Sequence, residues 1–317
     1  MSVKVAVVGC GHWGKNHVRN FAELGALAAV VDPNAELAAT FAEQYGVEAL
    51  SYDAAVANAS IDAVVIAAPA ELHCKLAVQA FEAGKHVFVE KPIALTMEDG
   101  RAMREAADKA GKVLMVGHLL QYHPAFVALR ELVRSGGLGT LRYAYSHRCS
   151  LGKFRTEENA LWSFAPHDVS MLLALFGAAP DSVSGTGGAF VTEGVEDECR
   201  LDMTFPGGGR GHVFASWLHP FKEHRLVVVG SEAMAVFEDS EPEPAKKLRL
   251  YRHQIDTSGP VPVPSKAEAE PIAYDTGAEP LRSECAHFLG ACAGEHPALT
   301  DANEALDVLE VLLKGAN

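Results

Sequence analysis

Three glycines at a fixed spacing, Gly9, Gly11 and Gly14, stand between the apolar run VKVAVV and a helical stretch. In such a turn the first glycine permits a tight bend, the second lets the backbone approach a pyrophosphate, and the third lets helix and strand pack closely. Free N–H groups at the start of the helix would bind the phosphates. We interpret this turn, with His12 and Trp13 inside it, as a dinucleotide site rather than an ordinary glycine turn.

Asp32 ends the next predicted strand, where its carboxylate would accept hydrogen bonds from the adenosine ribose hydroxyls. The same charge would repel a 2′-phosphate, and the following Pro33 and Asn34 offer no cation to receive one. The sequence therefore predicts NAD rather than NADP as the cofactor.

Glu90-Lys91-Pro92 closes another predicted strand, at the sheet edge where open α/β sheets bind their ligands. A lysine there can hydrogen-bond a substrate hydroxyl, and partial burial would lower the pKa of its amine. A Lys-Pro pair taken alone would be interpreted as a solvated loop.

Four features together resemble the Gfo/Idh/MocA oxidoreductases: GCGHWG (9–14), AAPAELH (67–73), AGKHVFVEKPIA (83–94) and His167. The resemblance covers the whole chain and implies a Rossmann half followed by an α/β half built on one large sheet. The Glu-Lys-Pro signature at this position is its most specific part.

The resemblance also implies roles for individual residues. Lys91 would contact both the cofactor and the reacting hydroxyl, and His167 would accept or donate the hydroxyl proton. Pro69 and His73 would lie near the nicotinamide, and Glu90 would belong to the cofactor site.

One departure from the family pattern concerns His167. Family members often carry an aspartate before this histidine in the pattern D-x-G-x-H, but Ser163 stands at that place here. Asp168 is adjacent, so the group that orients the imidazole stays open. The alternative for His167 is a purely structural role at a helix N-terminus.

Arg148, Lys153 and Arg155 form a local basic cluster in a chain of net charge -14. Arginine presents a planar fork that matches phosphate oxygens. We predict that these cations bind a pyrophosphate. The alternatives are a solvated basic loop and pairing with Glu157 and Glu158.

The segments GHLLQYHPAF (117–126) and LGKFRTEENALWSFAPHD (151–168) resemble the nucleotide-sugar branch of that family. This implies NAD-dependent oxidation of the 3-hydroxyl of UDP-N-acetylglucosamine, a UDP-N-acetyl-hexosamine, to the 3-keto sugar. The substrate contacts would then include four further residues: His118, Tyr122, Asn159 and Trp162.

A 3-keto product would feed 3-amino sugar or lipid A type biosynthesis through a PLP aminotransferase as pathway partner. Four alternatives stay open. They are a dehydrogenase of UDP-N-acetylglucosaminuronic acid, a 3-ketoreductase of a dTDP-sugar, a redox-neutral enzyme that returns the hydride on tightly held NAD, and a non-catalytic NAD-binding sensor.

The elements that must position these residues alternate over the first third of the chain. Helices of about ten residues separate the apolar runs, which predicts parallel β-α-β crossovers and a doubly wound sheet. The predicted strands are 3–8, 27–31, 61–68, 86–89 and 112–116.

Strand-like runs dominate from about residue 140 to 252, with one helix near 167–176 inserted early. A long loop over 255–278 and two final helices follow. The predicted fold is α/β, with a Rossmann domain over residues 1–120. Residues 121–317 would form an α/β domain with a large, mainly antiparallel sheet for substrate binding and oligomerisation.

Composition excludes some classes of function. Acidic residues number 41 against 27 basic ones, which argues against a general nucleic-acid or anionic-membrane binder. The scattered cysteines lack the spacing of a zinc site, so no metal is expected. No secretory signal and no apolar run of ~20 residues is visible, so we expect a cytoplasmic protein. Family resemblance implies a homo-oligomer, either dimer or tetramer.

Overall fold

The computed structural model describes residues 3–151, 154–155 and 158–316. Two compact units form in the chain. Unit 1 contains residues 1–122 and 279–309, and unit 2 contains residues 123–278 and 310–317.

Along the described residues, helices and strands alternate over 5–176, and a run of strands over 182–271 then precedes the last two helices. The strands are β1 (Val5–Val8), β2 (Leu27–Val31), β3 (Glu48–Ala49), β4 (Ala63–Ile66), β5 (His86–Val89), β6 (Leu114–Val116), β7 (Leu141–Cys149), β8 (Ser182–Gly188), β9 (Glu198–Thr204), β10 (Arg210–Ser216), β11 (Glu223–Gly230), β12 (Met234–Glu238), β13 (Leu248–Tyr251), β14 (Gln254–Asp256), β15 (Val263–Ser265) and β16 (Glu270–Pro271). The helices are α1 (Gly14–Glu23), α2 (Ala35–Tyr45), α3 (Tyr52–Ala57), α4 (His73–Glu82), α5 (Met97–Ala110), α6 (Pro124–Arg134), α7 (Ala160–Phe176), α8 (Pro280–Cys292) and α9 (Ala302–Gly315).

A parallel sheet with strand order β3-β2-β1-β4-β5-β6 forms the centre of unit 1. This is the strand order of dinucleotide-binding doubly wound sheets. Strands β1 and β4 are buried along their whole length, which is why each appears in the sequence as an unbroken apolar run. The Rossmann fold predicted from the sequence is confirmed.

The predicted domain division is wrong for residues 279–309, which were assigned to the second domain but belong to unit 1. The Phe288 ring is fully buried and packs against Phe21 and Phe88, with ring centroids 6.4 and 5.6 Å apart. Thr300 bonds both backbone groups of Val116 at 2.7 and 2.9 Å. These segments therefore complete the core of unit 1, although they follow unit 2 in the sequence.

Unit 2 is built on a sheet with strand order β16-β13-β12-β11-β7-β10-β9-β8. Strands β7 and β10 run parallel, and every other described pairing in this sheet is antiparallel. Helix α7 packs on β7, β9 and β10, and α6 packs on α7 and β12. The mainly antiparallel sheet predicted for the second half is confirmed.

Two elements of unit 2 differ from the prediction. Helix α7 begins at Ala160 rather than near residue 167, and it accommodates Pro166, which has no N–H to donate to the Trp162 carbonyl. The predicted long loop over 255–278 contains strands β15 and β16, and β15 pairs with β14 in a two-stranded ribbon. Within the described ranges, none of the helices combines the length and apolar character needed to cross a membrane.

Candidate active site

The glycine-rich turn in unit 1 has the geometry that a dinucleotide requires. Gly9 has φ +88°, and a Cβ atom there would lie 2.6 Å from the carbonyl oxygen of Ala67. A Cβ atom on Gly14 would lie 1.8 Å from the carbonyl oxygen of Gly9. Beside Gly11, in contrast, no described atom comes within 4 Å of such a Cβ. The turn is thus closely packed at its ends and open at its centre, where a pyrophosphate would approach the backbone.

Asp32 at the end of β2 is fixed by backbone groups. Its Oδ2 accepts the Cys10 N–H at 2.7 Å, and its Oδ1 accepts the Asn34 N–H at 2.9 Å. Burial and the Asp32 charge raise the pKa of the Cys10 thiol to about 11, so this thiol stays neutral. The half-exposed Asp32 carboxylate keeps lone pairs for ribose hydroxyls, and His12 is exposed in the same turn.

The Glu90 carboxylate is directed into unit 1, where side chains of α1 and of the glycine-rich turn bind it. Its Oε1 accepts hydrogen bonds from Trp13 Nε1 and His17 Nε2, both at 2.6 Å. Trp13, predicted in the cofactor site, is 40% exposed. Its hydrogen bond to Glu90 links the glycine-rich turn to the loop after β5. His17 was missed by the sequence analysis. The available signal was its place one helical turn before Phe21, which puts His17 on the apolar face of α1. A histidine buried there needs a polar partner.

Lys91 follows Glu90 at the carboxyl end of β5 and is half-buried. The Lys91 N–H lies 3.2 Å from Glu90 Oε2. The Lys91–Pro92 peptide bond is cis. The backbone of this predicted catalytic lysine is therefore held by the residue before it.

His73 is buried between two loops at the carboxyl ends of β4 and β5, and backbone carbonyl groups hold both of its ring nitrogens. Its Nδ1 lies 2.9 Å from the Pro92 carbonyl oxygen, and its Nε2 lies 2.9 Å from that of Ala68. Burial lowers the pKa of its imidazole. The ring joins the loop after β4 to the loop after β5. Pro69 lies exposed in the former loop, where a ligand could reach it.

His118 and Tyr122, predicted as substrate contacts, belong to the interior of unit 1. His118 Nδ1 pairs with Glu304 Oε2 at 2.6 Å. The Tyr122 hydroxyl lies 3.0 Å from Thr300 Oγ1, and burial raises the pKa of this phenol. Both polar groups are engaged by α9 or by the residues before it, because buried polar groups require partners.

Arg148 in unit 2 is also turned inward, contrary to its predicted contact with a pyrophosphate. Its guanidinium forms a two-point ion pair with Asp168, through Nε and through Nη2, the latter at 3.2 Å. Asp168 also accepts a hydrogen bond from the Ser146 hydroxyl. A further contact, at 3.2 Å, joins Arg148 to His224 Nδ1, and burial followed by the Arg148 charge lowers the pKa of His224 to about 3.

Arg155 and Asn159 both have side-chain partners in unit 2. Arg155 forms an ion pair with Glu158, the pairing that the sequence left open as an alternative. The Asn159 side chain caps α7 by accepting the Trp162 N–H at 3.1 Å, and it donates to Glu196 at 2.7 Å. The Asn159 side chain therefore caps α7, and its contact with the sugar stays a prediction. Trp162 is half-buried.

Lys153, the third predicted cation, and Glu157 lie outside the described residues.

His167 lies within the body of α7, directly after Pro166, and is half-buried. It therefore does not lie at a helix N-terminus, where the structural alternative placed it. The Asp168 carboxylate binds Arg148 and Ser146, so it connects α7 to β7. The described residues contain no group of His, Cys, Asp and Glu arranged to hold a metal ion.

Comparison with known proteins decides the family. Residues 3–118 match the oxidoreductase family with an NAD-binding Rossmann fold, and residues 126–236 match the GFO/IDH/MocA C-terminal domain. The chain belongs to the Gfo/Idh/MocA oxidoreductase family. Residues 3–118 form an NAD-binding Rossmann domain of that family, which confirms the cofactor predicted from the sequence.

Within the Gfo/Idh/MocA family, one relative is similar over almost the full length. It is the UDP-N-acetylglucosamine 3-dehydrogenase of Acidithiobacillus ferrooxidans, 31% identical over 316 residues, with 98% of this chain and 96% of that protein covered. A solved structure of that enzyme superposes with a TM-score of 0.83, covering 99% of this chain and 96% of the other.

Other Gfo/Idh/MocA relatives match a smaller part of the chain. The scyllo-inositol 2-dehydrogenase (NAD(+)) of Bacillus subtilis is 30% identical, with 73% of this chain and 72% of that protein covered. The 2,7-anhydro-N-acetylneuraminate hydratase of Escherichia coli is 27% identical, with 73% of this chain and 66% of that protein covered.

Proposed function

We propose that this oxidoreductase uses NAD to oxidise the 3-hydroxyl of a UDP-N-acetyl-hexosamine, with UDP-N-acetylglucosamine as the first candidate. The observation that carries this proposal is the extent of similarity to the Acidithiobacillus enzyme, which covers 98% of the chain. The inositol dehydrogenase and the hydratase match only 73% of it.

In the proposed reaction the two key groups of this chain are an amine and an imidazole. Lys91 donates a hydrogen bond to the sugar hydroxyl, and the His167 imidazole takes the hydroxyl proton. NAD, when bound, supplies the hydride acceptor. General-base assistance of this kind contributes about 10²–10⁴ in rate. The glycine-rich turn and Asp32 orient the cofactor, because the turn is open at Gly11 and the carboxylate is fixed by backbone N–H groups.

For the substrate pyrophosphate, the proposal retains Lys153 and Arg155 and leaves out Arg148. Arg155 is paired with an exchangeable surface carboxylate, so a phosphate would replace one anion by another. To bind a phosphate, Arg148 would have to leave the fully buried Asp168. This would cost much free energy, because it breaks a buried ion pair and leaves the carboxylate unpaired. Trp162 stays a proposed contact because it is half-buried in the adjacent turn of α7.

A redox-neutral reaction is the second candidate, favoured by the similarity to a hydratase of the same family. In such an enzyme the hydride returns to the sugar and no NADH is released. UDP-N-acetylglucosaminuronic acid and 3-keto dTDP-sugars are the other proposed substrates. A non-catalytic NAD sensor would bind NAD without turning over any of them.

A substrate screen tests these proposals. Purified protein is incubated with NAD and one of UDP-N-acetylglucosamine, UDP-N-acetylglucosaminuronic acid and UDP-glucose, and in the reverse direction with NADH and a 3-keto dTDP-sugar. We expect NADH and a 3-keto product with UDP-N-acetylglucosamine. Product without free NADH would favour the redox-neutral reaction, and NAD binding without any product would favour the sensor.

The proposal also extends to the cellular setting. A 3-keto nucleotide sugar is the substrate that a PLP aminotransferase requires to make a 3-amino sugar, so such an enzyme is the proposed pathway partner in lipid A type biosynthesis. We also propose a homo-oligomer, dimer or tetramer, in the cytoplasm.

A further inference from the structure

The Glu90 side chain is a buried anion that connects α1 to the Lys91 loop. Its Oε1 accepts two hydrogen bonds of 2.6 Å, from Trp13 and from His17, and its Oε2 faces the Lys91 N–H at 3.2 Å. His17 is fully buried and Glu90 is 9% exposed. Charge-assisted hydrogen bonds in such surroundings are the strong ones, so this contact restrains the start of the loop.

Both ring nitrogens of His17 have partners. An ionised carboxylate only accepts hydrogen bonds, so His17 Nε2 is the donor to Glu90, and His17 Nδ1 faces α8. That Nδ1 lies 3.7 Å from Cys285 Sγ. Burial raises the pKa of the Cys285 thiol well above its ordinary value, so the thiol stays protonated beside the His17 ring.

The charged and titratable groups facing Glu90 come from several elements. They are His17 on α1, Lys91 in its own loop, His73 on α4, and Glu284 and Cys285 on α8. Burial alone would raise the pKa of Glu90, but the hydrogen bonds from His17 and Trp13 lower it below its ordinary value. Burial raises the pKa of Glu284 well above its ordinary value, so Glu284 is neutral and Glu90 carries the charge.

We propose that His17 is a positioning residue for Lys91: it holds Glu90 as an anion against the Lys91 backbone and so fixes where the lysine side chain begins. Trp13 joins the same carboxylate from the glycine-rich turn, so the turn and the Lys91 loop share one anchor. This inference rests on the proposed function, in which Lys91 meets the substrate hydroxyl.

Three variants separate positioning from stability. His17→Leu removes the donor to Glu90, and His17→Gln restores a donor of similar reach. His86→Leu is the matched control, because His86 lies at the opposite end of the same strand β5 and accepts the Val113 N–H at 3.0 Å. All three are compared with the wild type by thermal unfolding, by NAD affinity and by steady-state kinetics.

We expect His17→Leu to lower kcat by roughly 10- to 100-fold, since a displacement of about 1 Å has this effect, while NAD affinity changes little. The acid limb of its kcat profile should move to higher pH, because Glu90 has lost a donor that holds its pKa down. His17→Gln should recover most of kcat. His86→Leu should lower the thermal midpoint without moving the acid limb.

A second readout needs no substrate. The rate of acetylation of Lys91 by an amine reagent is followed by mass spectrometry at one pH. Loss of the His17 donor leaves the start of the Lys91 loop less restrained, and a less restrained amine meets the reagent more often. Lys91 should therefore react several-fold faster in His17→Leu and at the wild-type rate in His17→Gln and His86→Leu.

The outcomes distinguish the two proposals. Equal acetylation rates and an unmoved acid limb in folded His17→Leu would overturn the role of His17. A wild type that turns over no nucleotide sugar would overturn the proposed function, and the acetylation comparison would still decide the role of His17.

Discussion

At the scale of single residues, Asp32 determines which dinucleotide the glycine-rich turn accepts. Its two oxygens are held by the N–H groups of Cys10 and Asn34, so the charge cannot swing away from the ribose site. A fixed carboxylate discriminates more strongly than a mobile one, because it cannot relax away from a 2′-phosphate.

We predict that Asp32→Ala combined with Pro33→Arg lowers the preference for NAD over NADP by at least about tenfold, since removing one repulsion and adding one attraction each contribute about 1 kcal/mol or more. Dissociation constants for both dinucleotides check this, with Asp32→Asn as the control that keeps the hydrogen-bonding shape. A wild type that already prefers NADP would show the assignment to be wrong.

Glu284 gives a second prediction at this scale. Neither of its carboxyl oxygens has a hydrogen-bond partner among the described residues, and burial followed by the Glu90 charge raises its pKa well above 4.5. The folded state therefore retains a proton that the unfolded state releases above about pH 4.5. The free energy of unfolding consequently falls as pH rises above that value.

Glu284→Gln keeps the size of the side chain and cannot ionise, so its stability relative to the wild type should increase between about pH 5 and about pH 8. Urea unfolding at both pH values measures this. Glu279→Gln is the control, because its hydrogen bond from Arg19 lowers the pKa of Glu279 below 4.5, so the stabilisation is fully present at both pH values and the difference from the wild type should stay constant. Parallel curves for Glu284→Gln and wild type would contradict the neutral Glu284.

At the scale of elements, β7 and α7 are joined by the ion pair of Arg148 with Asp168. Ala144, Ser146 and Arg148 are buried and alternate with the half-buried Tyr145 and His147, so these three residues face the interior of unit 2. The contact therefore sets how α7, and with it His167, is seated on the sheet.

We predict that Arg148→Met lowers the free energy of unfolding by about 3–5 kcal/mol, because it leaves the Asp168 charge buried and unpaired. Arg155→Met should leave stability almost unchanged and raise KM for the nucleotide sugar. Denaturant unfolding and steady-state kinetics of the two variants check this. If Arg148→Met instead raised only KM, the inward role of Arg148 would be refuted.

The strand alternation on β7 also explains what the sequence could predict. The Rossmann strands were found because parallel strands buried on both faces form continuous apolar runs. Arg148 was misassigned because proximity to a motif says nothing about which face of a strand a side chain occupies. Ala144 and Ser146, the small residues two and four positions before Arg148, mark the buried face of the strand, and this alternation was the signal that could have corrected the assignment.

Other errors have the same origin in three-dimensional packing. Tyr122 and His118 have suitable chemistry for a sugar, but their partners Thr300 and Glu304 come from the far end of the chain. Local sequence does not encode such long-range contacts. For that reason the residues over 279–309 were also assigned to the wrong domain.

At the scale of the molecule, one face of the unit 2 sheet has the composition of an interface. Helices α6 and α7 lie on the other face. A cavity of about 720 Å³ opens on the face turned away from these helices, and its lining includes the aromatic residues Tyr143, Tyr145 and Phe214. Arg225 pairs with Glu223 at 2.9 Å on the same face, so apolar groups are flanked by paired charges. Such a face can meet its own copy, as a two-fold dimer requires.

We therefore predict that Tyr143→Glu shifts the protein to a smaller species, because a charge would be buried in the interface. Light scattering coupled to size exclusion measures the mass. Phe221→Glu is the control, since Phe221 is 62% exposed in the turn before β11 and its charge would stay in water. A monomeric wild type at working concentration would contradict the homo-oligomer.

The most direct measurement compares turnover and NAD binding in Lys91→Ala and His167→Ala, with the exposed Lys75→Ala as control. We predict that each of the first two lowers kcat for the nucleotide sugar by at least about 10²-fold while NAD still binds, and that Lys75→Ala changes neither. Wild-type turnover in Lys91→Ala or in His167→Ala would contradict the chemistry proposed for this chain, although the NAD-binding fold would stand.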